Sequence, residues 1–227
     1  MAFSGAFVKP FRPAFDAGLA AASVPWYLAG GAPTPIAVYQ PKGAASLAAS
    51  YVNLVNPGTY NAAPGVAPTF DAATGWGWDG TARYLDTGWV PSNTQNQSVL
   101  IRYASHPLTG GIRTFFGQYD AATQSLRLLS NATNHMYFAN GNFLDYGTLA
   151  ASAVDSIAGN QAYRNGAPIG TAIGAWGGTA TKTCYIGMVN GFLTYYPTCT
   201  MQALAIWDTS TGHATWMPAV MAACALI

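Results

Sequence analysis

VDSIAGNQAYRNGAPIGT, residues 154–171, carries the clearest fold signal in this chain. Asn165-Gly166 separates two short strand-like runs, 161–164 and 168–172. Both residue types tolerate positive φ, which a two-residue type I′ hairpin demands at its two central positions. The run 152–160 just upstream supplies a third strand. Antiparallel pairing is therefore the local rule, and the same rhythm continues outward in both directions. Upstream lie 75–78, 84–86, 97–103, 113–119, 125–130 and 135–140; downstream lie 183–188 and 200–207. Turn residues recur between them about every 8–12 residues, the pattern of a sandwich or barrel. The tail, about 211–226, reads as a short helix, with Pro218 confined to its first turn. Residues 36–54 begin with a short strand and continue into alanine-rich text that predicts a helix over about 44–50, and 56–69 (NPGTYNAAPGVAPT) reads as a surface loop.

Composition agrees with strands and loops. All eight acidic residues are Asp and there is no Glu; Glu favours helices and Asp favours turns. Only 7% of residues are charged, against roughly 25% in an average soluble domain. A surface so poor in charge is expected to be covered in part by partner subunits, or else to be rich in Thr, Asn, Ser and Gln. The net charge of +1 offers no basic field for nucleic acid. No run is long and apolar enough to cross a membrane as a helix, so no membrane insertion is expected. Lys9, Pro10, Arg12, Pro13 and Asp16 break every apolar run near the start, so no signal peptide is read. Cys184, Cys199 and Cys224 are odd in number and read as buried free thiols; Cys184 and Cys199, on neighbouring strand-like segments, are the alternative pair.

Residues 1–30 form an extended arm and 31–227 one sandwich domain. Phe3, Phe7, Phe11 and Phe15 recur every fourth residue, but Pro10 and Pro13 oppose a continuous helix. In an extended chain these phenyl rings share one side. With Lys9 and Arg12 at its rim, the arm is expected to lie on its own domain or on a neighbour's.

Four stretches resemble the laminin-G-like branch of the concanavalin-A-like sandwiches: GWGWDGTARYLDTGWVP (75–91), the hairpin with its Y-x-N-G turn (154–171), CYIGMVN (184–190) and MQALAIWDTSTGHATWMPAVMAA (201–223). The resemblance implies an all-β, antiparallel two-sheet jelly-roll sandwich. The arm together with YQPKGAASLAASYVNLVNPGTY (39–60) is similar to proteins of phage and prophage particles. That similarity implies a non-enzymatic structural component of a phage particle, a capsid decoration or tail-fibre protein. Its partners would be copies of itself and other virion proteins. It would be made in the host cytoplasm and reside in the virion. The alternative is a glycan-binding adhesin for host-surface attachment.

No catalytic residue is assigned. Hydrolases on this fold use closely spaced glutamates, which are missing here, so no hydrolase activity is expected. His106, His135 and His213 lie in no G-x-S-x-G context and read as structural. No cofactor is implied. A Ca²⁺ at the sandwich rim would draw on Asp79, Asp86, Asp120, Asp145 or Asp208, but no D-x-D-x-D run supports it. Candidate glycan-binding residues are Tyr137, Asn140, Asn142, Asp145 and Tyr146 in NHMYFANGNFLDY, with Tyr195 and Tyr196 in GFLTYYP. These segments mix aromatic platforms with hydrogen-bonding groups; alternatively, alternate members face the core.

Overall fold

The computed structural model describes residues 24–92, 97–121, 124–131, 134–139, 142–169, 180–191 and 195–227. The side chains of 121–124 and 135–146 lie outside the described residues.

The chain forms two antiparallel sheets and a C-terminal helix. The eight-stranded sheet is built from β1 (Ala37–Tyr39), β3 (Thr69–Asp71), β4 (Gly75–Asp79), β6 (Ser98–Ala104), β11 (Ala153–Ala158), β12 (Gln161–Arg164), β13 (Ala167–Ile169) and β15 (Thr198–Trp207). Its order is β13-β12-β11-β6-β15-β4-β3, with β1 also paired to β15. The seven-stranded sheet runs β10-β9-β8-β7-β14-β5-β2. Its strands are β2 (Ala63–Val66), β5 (Tyr84–Asp86), β7 (Arg113–Ala121), β8 (Gln124–Ser130), β9 (Asn134–Ala139), β10 (Asn142–Thr148) and β14 (Tyr185–Ile186).

The core lies between the sheets. Tyr39, Trp76, Val99, Ile101, Leu204 and Ile206 face it from one side; Leu85, Phe116, Leu126, Leu128 and Ile186 face it from the other. A second apolar layer covers the outer face of the eight-stranded sheet. There Leu100, Val154, Ala205 and Trp207 pack under Trp216, Met217, Val220 and Met221 of α2 (His213–Ala225). This double burial explains why β15 reads ALAIW, apolar at successive positions: both faces of the strand are covered.

The hairpin forms as expected. Asn165 and Gly166 have φ of 50° and 87°, and Arg164 pairs with Ala167 across the turn. Gly166→Ala forces a Cβ into the left-handed region and is expected to lower stability by about 1–2 kcal/mol, measured as a shift in the urea midpoint.

Several local expectations need correction. The segment 56–69 is not all loop: β2 and the start of β3 lie in it. Both are edge positions, where Pro64 and Gly65 are tolerated because one side of the strand needs no partner. The first helix, α1, spans only Leu47–Ser50, started by the Ser46 hydroxyl accepting from Ala49 N at 3.1 Å. Pro218 sits in the interior of α2, not in its first turn. Packing on the sheet holds the helix despite the lost N–H. At 24–31, Trp26 is buried against the α2 layer, and its indole donates to Gln40 Oε1 at 2.9 Å. Phe3, Phe7, Lys9, Phe11, Arg12 and Phe15 lie outside the described residues. All three cysteines are buried and free.

Candidate functional site

Alternation decides which groups the seven-stranded sheet turns away from the core, although among them Gly117 is itself buried and Arg127 half-buried. Leu85, Ile186, Phe116, Leu126 and Leu128 point inward. Their neighbours in sequence therefore point outward: Tyr84, Asp86, Tyr185, Gly117 and Arg127. Register then lines these up. Asp86 stands opposite Tyr185, Tyr185 opposite Gly117, and Gly117 opposite Arg127. One row of outward positions thus crosses β5, β14, β7 and β8.

Aromatic rings brace both ends of the row. Tyr84 stacks on Tyr185 with centroids 4.8 Å apart and planes 18° apart. Behind Tyr84 lies Gly65; a Cβ there would stand 2.0 Å from the Tyr84 ring, so a larger residue would displace the ring. At the other end the Arg127 guanidinium lies 5.1 Å from the centre of the Tyr119 ring. Burial lowers the Arg127 pKa, while the neighbouring Tyr119 and Tyr195 act to raise it; a guanidinium remains charged under such a shift. Lys182 adds a second cation, its Nζ donating to the Tyr119 carbonyl at 3.0 Å.

Tyr195 is exposed and has φ of 78°, rare for a residue with a Cβ. Its carbonyl accepts from Thr114 N at 2.7 Å, which ties this loop to β7. Tyr196 is half-buried beside it. Asn140 lies outside the described residues. Tyr137 belongs to β9, which adjoins β8, and Asn142, Asp145 and Tyr146 to β10, beyond β9 at the sheet edge; their side chains lie outside the described residues. The sequence reading named Tyr195 and Tyr196 and did not name Tyr84, Tyr119, Arg127 or Tyr185, which the registers bring to this face.

The rim aspartates cap turns. Asp79 accepts from the Thr81 hydroxyl and from Arg83, which together hold its pKa down at about 2. Asp86 accepts from Gly88 N, and Asp208 from the Ser92 hydroxyl. Asp120 fastens the loop at Thr181 and Lys182; burial pushes its pKa up, but these bonds outweigh that and leave it lowered. Asp145 has no described side chain. Among the described residues no three His, Cys or Asp side chains gather as a metal would require.

Two buried polar clusters are structural. Asp155 accepts from Arg164 and from the Tyr103 hydroxyl. His106 Nε2 lies 3.0 Å from Ser130 Oγ. His213 lies 2.6 Å from the Tyr163 hydroxyl, and the His135 side chain is outside the described residues. A groove of about 350 Å³ opens on the other sheet beside Arg102, Asn165 and Gln202. It lies away from the aromatic row, and Arg102 there is engaged by the carbonyls of Cys224 and Ile227.

No family model matches the chain, and no curated protein does. Solved structures do. Trypanosoma rangeli sialidase in complex with the inhibitor DANA is similar over 82% of this chain and 33% of its own, at 15% identity and a TM-score of 0.56. The same enzyme in complex with a 2,3-difluoro-KDN compound gives 14% identity and a TM-score of 0.57 over the same shares. A third, a covalent intermediate with 2,3-difluorosialic acid, gives 0.53 at 14% identity. The chain therefore spans about a third of the length of these sialidases, and at such identity the likeness shows the shared fold alone.

This likeness overturns two expectations. The chain was read as a non-enzymatic virion component, yet its structural neighbours are glycan-processing enzymes, and nothing found links it to phage particles or to laminin-G proteins. The expectation of no hydrolase activity rested on the missing glutamates. That premise was too narrow, because not every glycosidase needs a glutamate pair.

Proposed function

We propose that the chain is a glycan-handling β-sandwich of sialidase-type proteins, taking sialylated sugars on the outer face of its seven-stranded sheet. The observation that carries this reading is Arg127, held on the Tyr119 ring beside Tyr195. A guanidinium matches a sugar carboxylate in a two-point hydrogen-bonded fork. Tyrosines offer an apolar ring to a sugar face and a hydroxyl to its rim. The sialidase neighbours, one of them in complex with 2,3-difluorosialic acid, support the choice of sugar. The concanavalin-A-like jelly-roll character suggested by the sequence motifs, with one sandwich domain over 31–227, belongs to the same reading.

Titration calorimetry with sialyllactose tests it. Wild-type protein is expected to bind, and Arg127→Ala to weaken binding by roughly ten- to a hundredfold, the worth of hydrogen bonds to a charged group. Arg127→Lys should recover little of the loss, since an ammonium lacks the fork. Free sialic acid released in the same incubation reports hydrolysis. No binding by wild type, or equal binding by a folded Arg127→Ala variant, would sink the proposal.

A further inference from the structure

We infer that the groove on the outer face of the eight-stranded sheet is a separate binding site, taking a small carboxylic acid that carries an amide group beside its carboxylate. It is independent of the reading of Arg127. Val99, Ile101 and Tyr103 of β6 face the core, so alternation turns Leu100, Arg102 and Ala104 to the outer face. Helix α2 covers Leu100 but ends at Ala225, and beside that end Arg102 and Ala104 line an open groove of about 350 Å³. A bulge interrupts β15 here. Met201 pairs with Tyr103 and Ala203 with Arg102, which leaves Gln202 as the extra residue between them. A bulge re-aims the side chain that it inserts. Gln202 lines the groove, together with Ser152 and Asn165. Ser152 and Asn165 are exposed, and Arg102 and Gln202 half-buried, so a solute can reach all four.

The guanidinium is held with one edge open. Arg102 Nη1 donates to the Cys224 carbonyl at 2.9 Å and to the Ile227 carbonyl, which uses both hydrogens of that nitrogen. Lys42 Nζ donates to the same Ile227 oxygen at 2.7 Å, so Arg102 does not face that oxygen alone. Arg102 Nη2 and Nε have no partner among the described residues. Together they form a side-on fork that a carboxylate meets with two parallel hydrogen bonds. No acidic side chain lines the groove. Asp155 of the neighbouring β11 pairs with the core-facing Ile101, and Arg164 and Tyr103 take up its oxygens. Neutral donors complete the lining. The side chains of Gln202 and Ser152 have no hydrogen-bond partner among the described residues. Asn165 uses its Oδ1 on Val154 N at 3.0 Å and leaves its Nδ2. A single lining cation beside the negative end of a helix suits one carboxylate better than a phosphate dianion. The side-chain amides of Gln202 and Asn165 suit an amide next to it.

The test is an NMR titration of the full chain, amide by amide, with N-acetylglycine, N-acetylglycinamide and inorganic phosphate. N-Acetylglycine is expected to shift the signals of Ala104, Ser152, Val154 and Asn165 saturably. N-Acetylglycinamide lacks the carboxylate and should bind at least about tenfold more weakly, the scale of hydrogen bonds to a charged group. Phosphate should also bind more weakly than N-acetylglycine. Gln202→Leu removes an amide without touching Arg102, and should weaken N-acetylglycine about three- to tenfold, the scale of a neutral hydrogen bond. Arg102→Met should abolish binding with an unchanged thermal transition. If that variant unfolds because α2 loses its contact, Gln202→Leu and N-acetylglycinamide decide. The proposal is overturned by the absence of saturable shifts, by shifts confined to other strands, by equal response to the acid and its amide, by tighter binding of phosphate, or by unchanged affinity in folded Gln202→Leu.

Discussion

Replacing Asp155 with alanine is expected to destabilise the fold by about 3–5 kcal/mol, enough to leave little of a typical domain's stability. Asp155 is fully buried, and its carboxylate accepts from Arg164 Nε at 2.9 Å, from the second Arg164 nitrogen at 3.2 Å and from the Tyr103 hydroxyl at 3.0 Å. Removing it strands a largely buried guanidinium and a buried phenol. Burial acts to raise the Asp155 pKa, while Arg164 and Tyr103 oppose that rise. The loss in the alanine variant therefore reflects the partners left behind more than the net worth of the pair. The control is replacement of both charges by apolar residues, Asp155→Leu with Arg164→Met, which is expected to fall near wild type. Chemical denaturation of both proteins decides it. A loss under 1 kcal/mol for the single variant would show that water reaches this cluster.

The second large effect is a loss of stability in acid. His106 is buried against Phe115 and Tyr103, with Nε2 at Ser130. Burial lowers its pKa to about 4, with the nearby Arg113 acting in the same direction. The unfolded chain, with a pKa near 6.5, binds a proton at higher pH than the folded one does. Stability from this residue is therefore full above pH 6.5, falls as pH drops through that value, and reaches its floor near pH 4. The shift corresponds to roughly 3 kcal/mol. Unfolding free energies of wild type and His106→Gln should be compared at pH 7 and pH 4. The variant should lose about that much less, and the difference removes the contribution of Asp155 and the smaller one of His213. Parallel losses in the two proteins would place the acid sensitivity elsewhere.

How far the sequence could be read depended on whether a feature was local. Asn165-Gly166 dictates its own turn, so the hairpin and its two strands were legible. The run 125–130 was legible as a strand, but which of its side chains face the core was not, since Leu128 and Leu129 are both apolar. The pairing that brings Arg127 into one row with Tyr185 and Asp86 was not legible either, because it depends on three separate registers between segments distant in sequence. Edge strands β2 and β3 escaped notice because Pro64 and Gly65 are penalised only where both strand edges must be paired. Tyr195 stood out as aromatic text in a loop. Tyr119 looked like any strand tyrosine until Arg127 was seen to lie over it. The missing glutamates exclude one kind of carboxylate pair and say nothing of other glycosidase chemistries.

β15 pairs with β6 along one edge and with both β4 and β1 along the other, yet it is the final strand in the chain. During synthesis every earlier strand of the eight-stranded sheet emerges before the one that joins them. Until residues 198–207 arrive, β1, β4 and β6 have no common neighbour, and the α2 layer has no floor. Non-local pairing of this kind makes folding slow and leaves strand edges open to other chains meanwhile. The protein is therefore expected to be most prone to misassociation as a nascent chain, and to become protected against hydrogen exchange in its central sheet late and all at once.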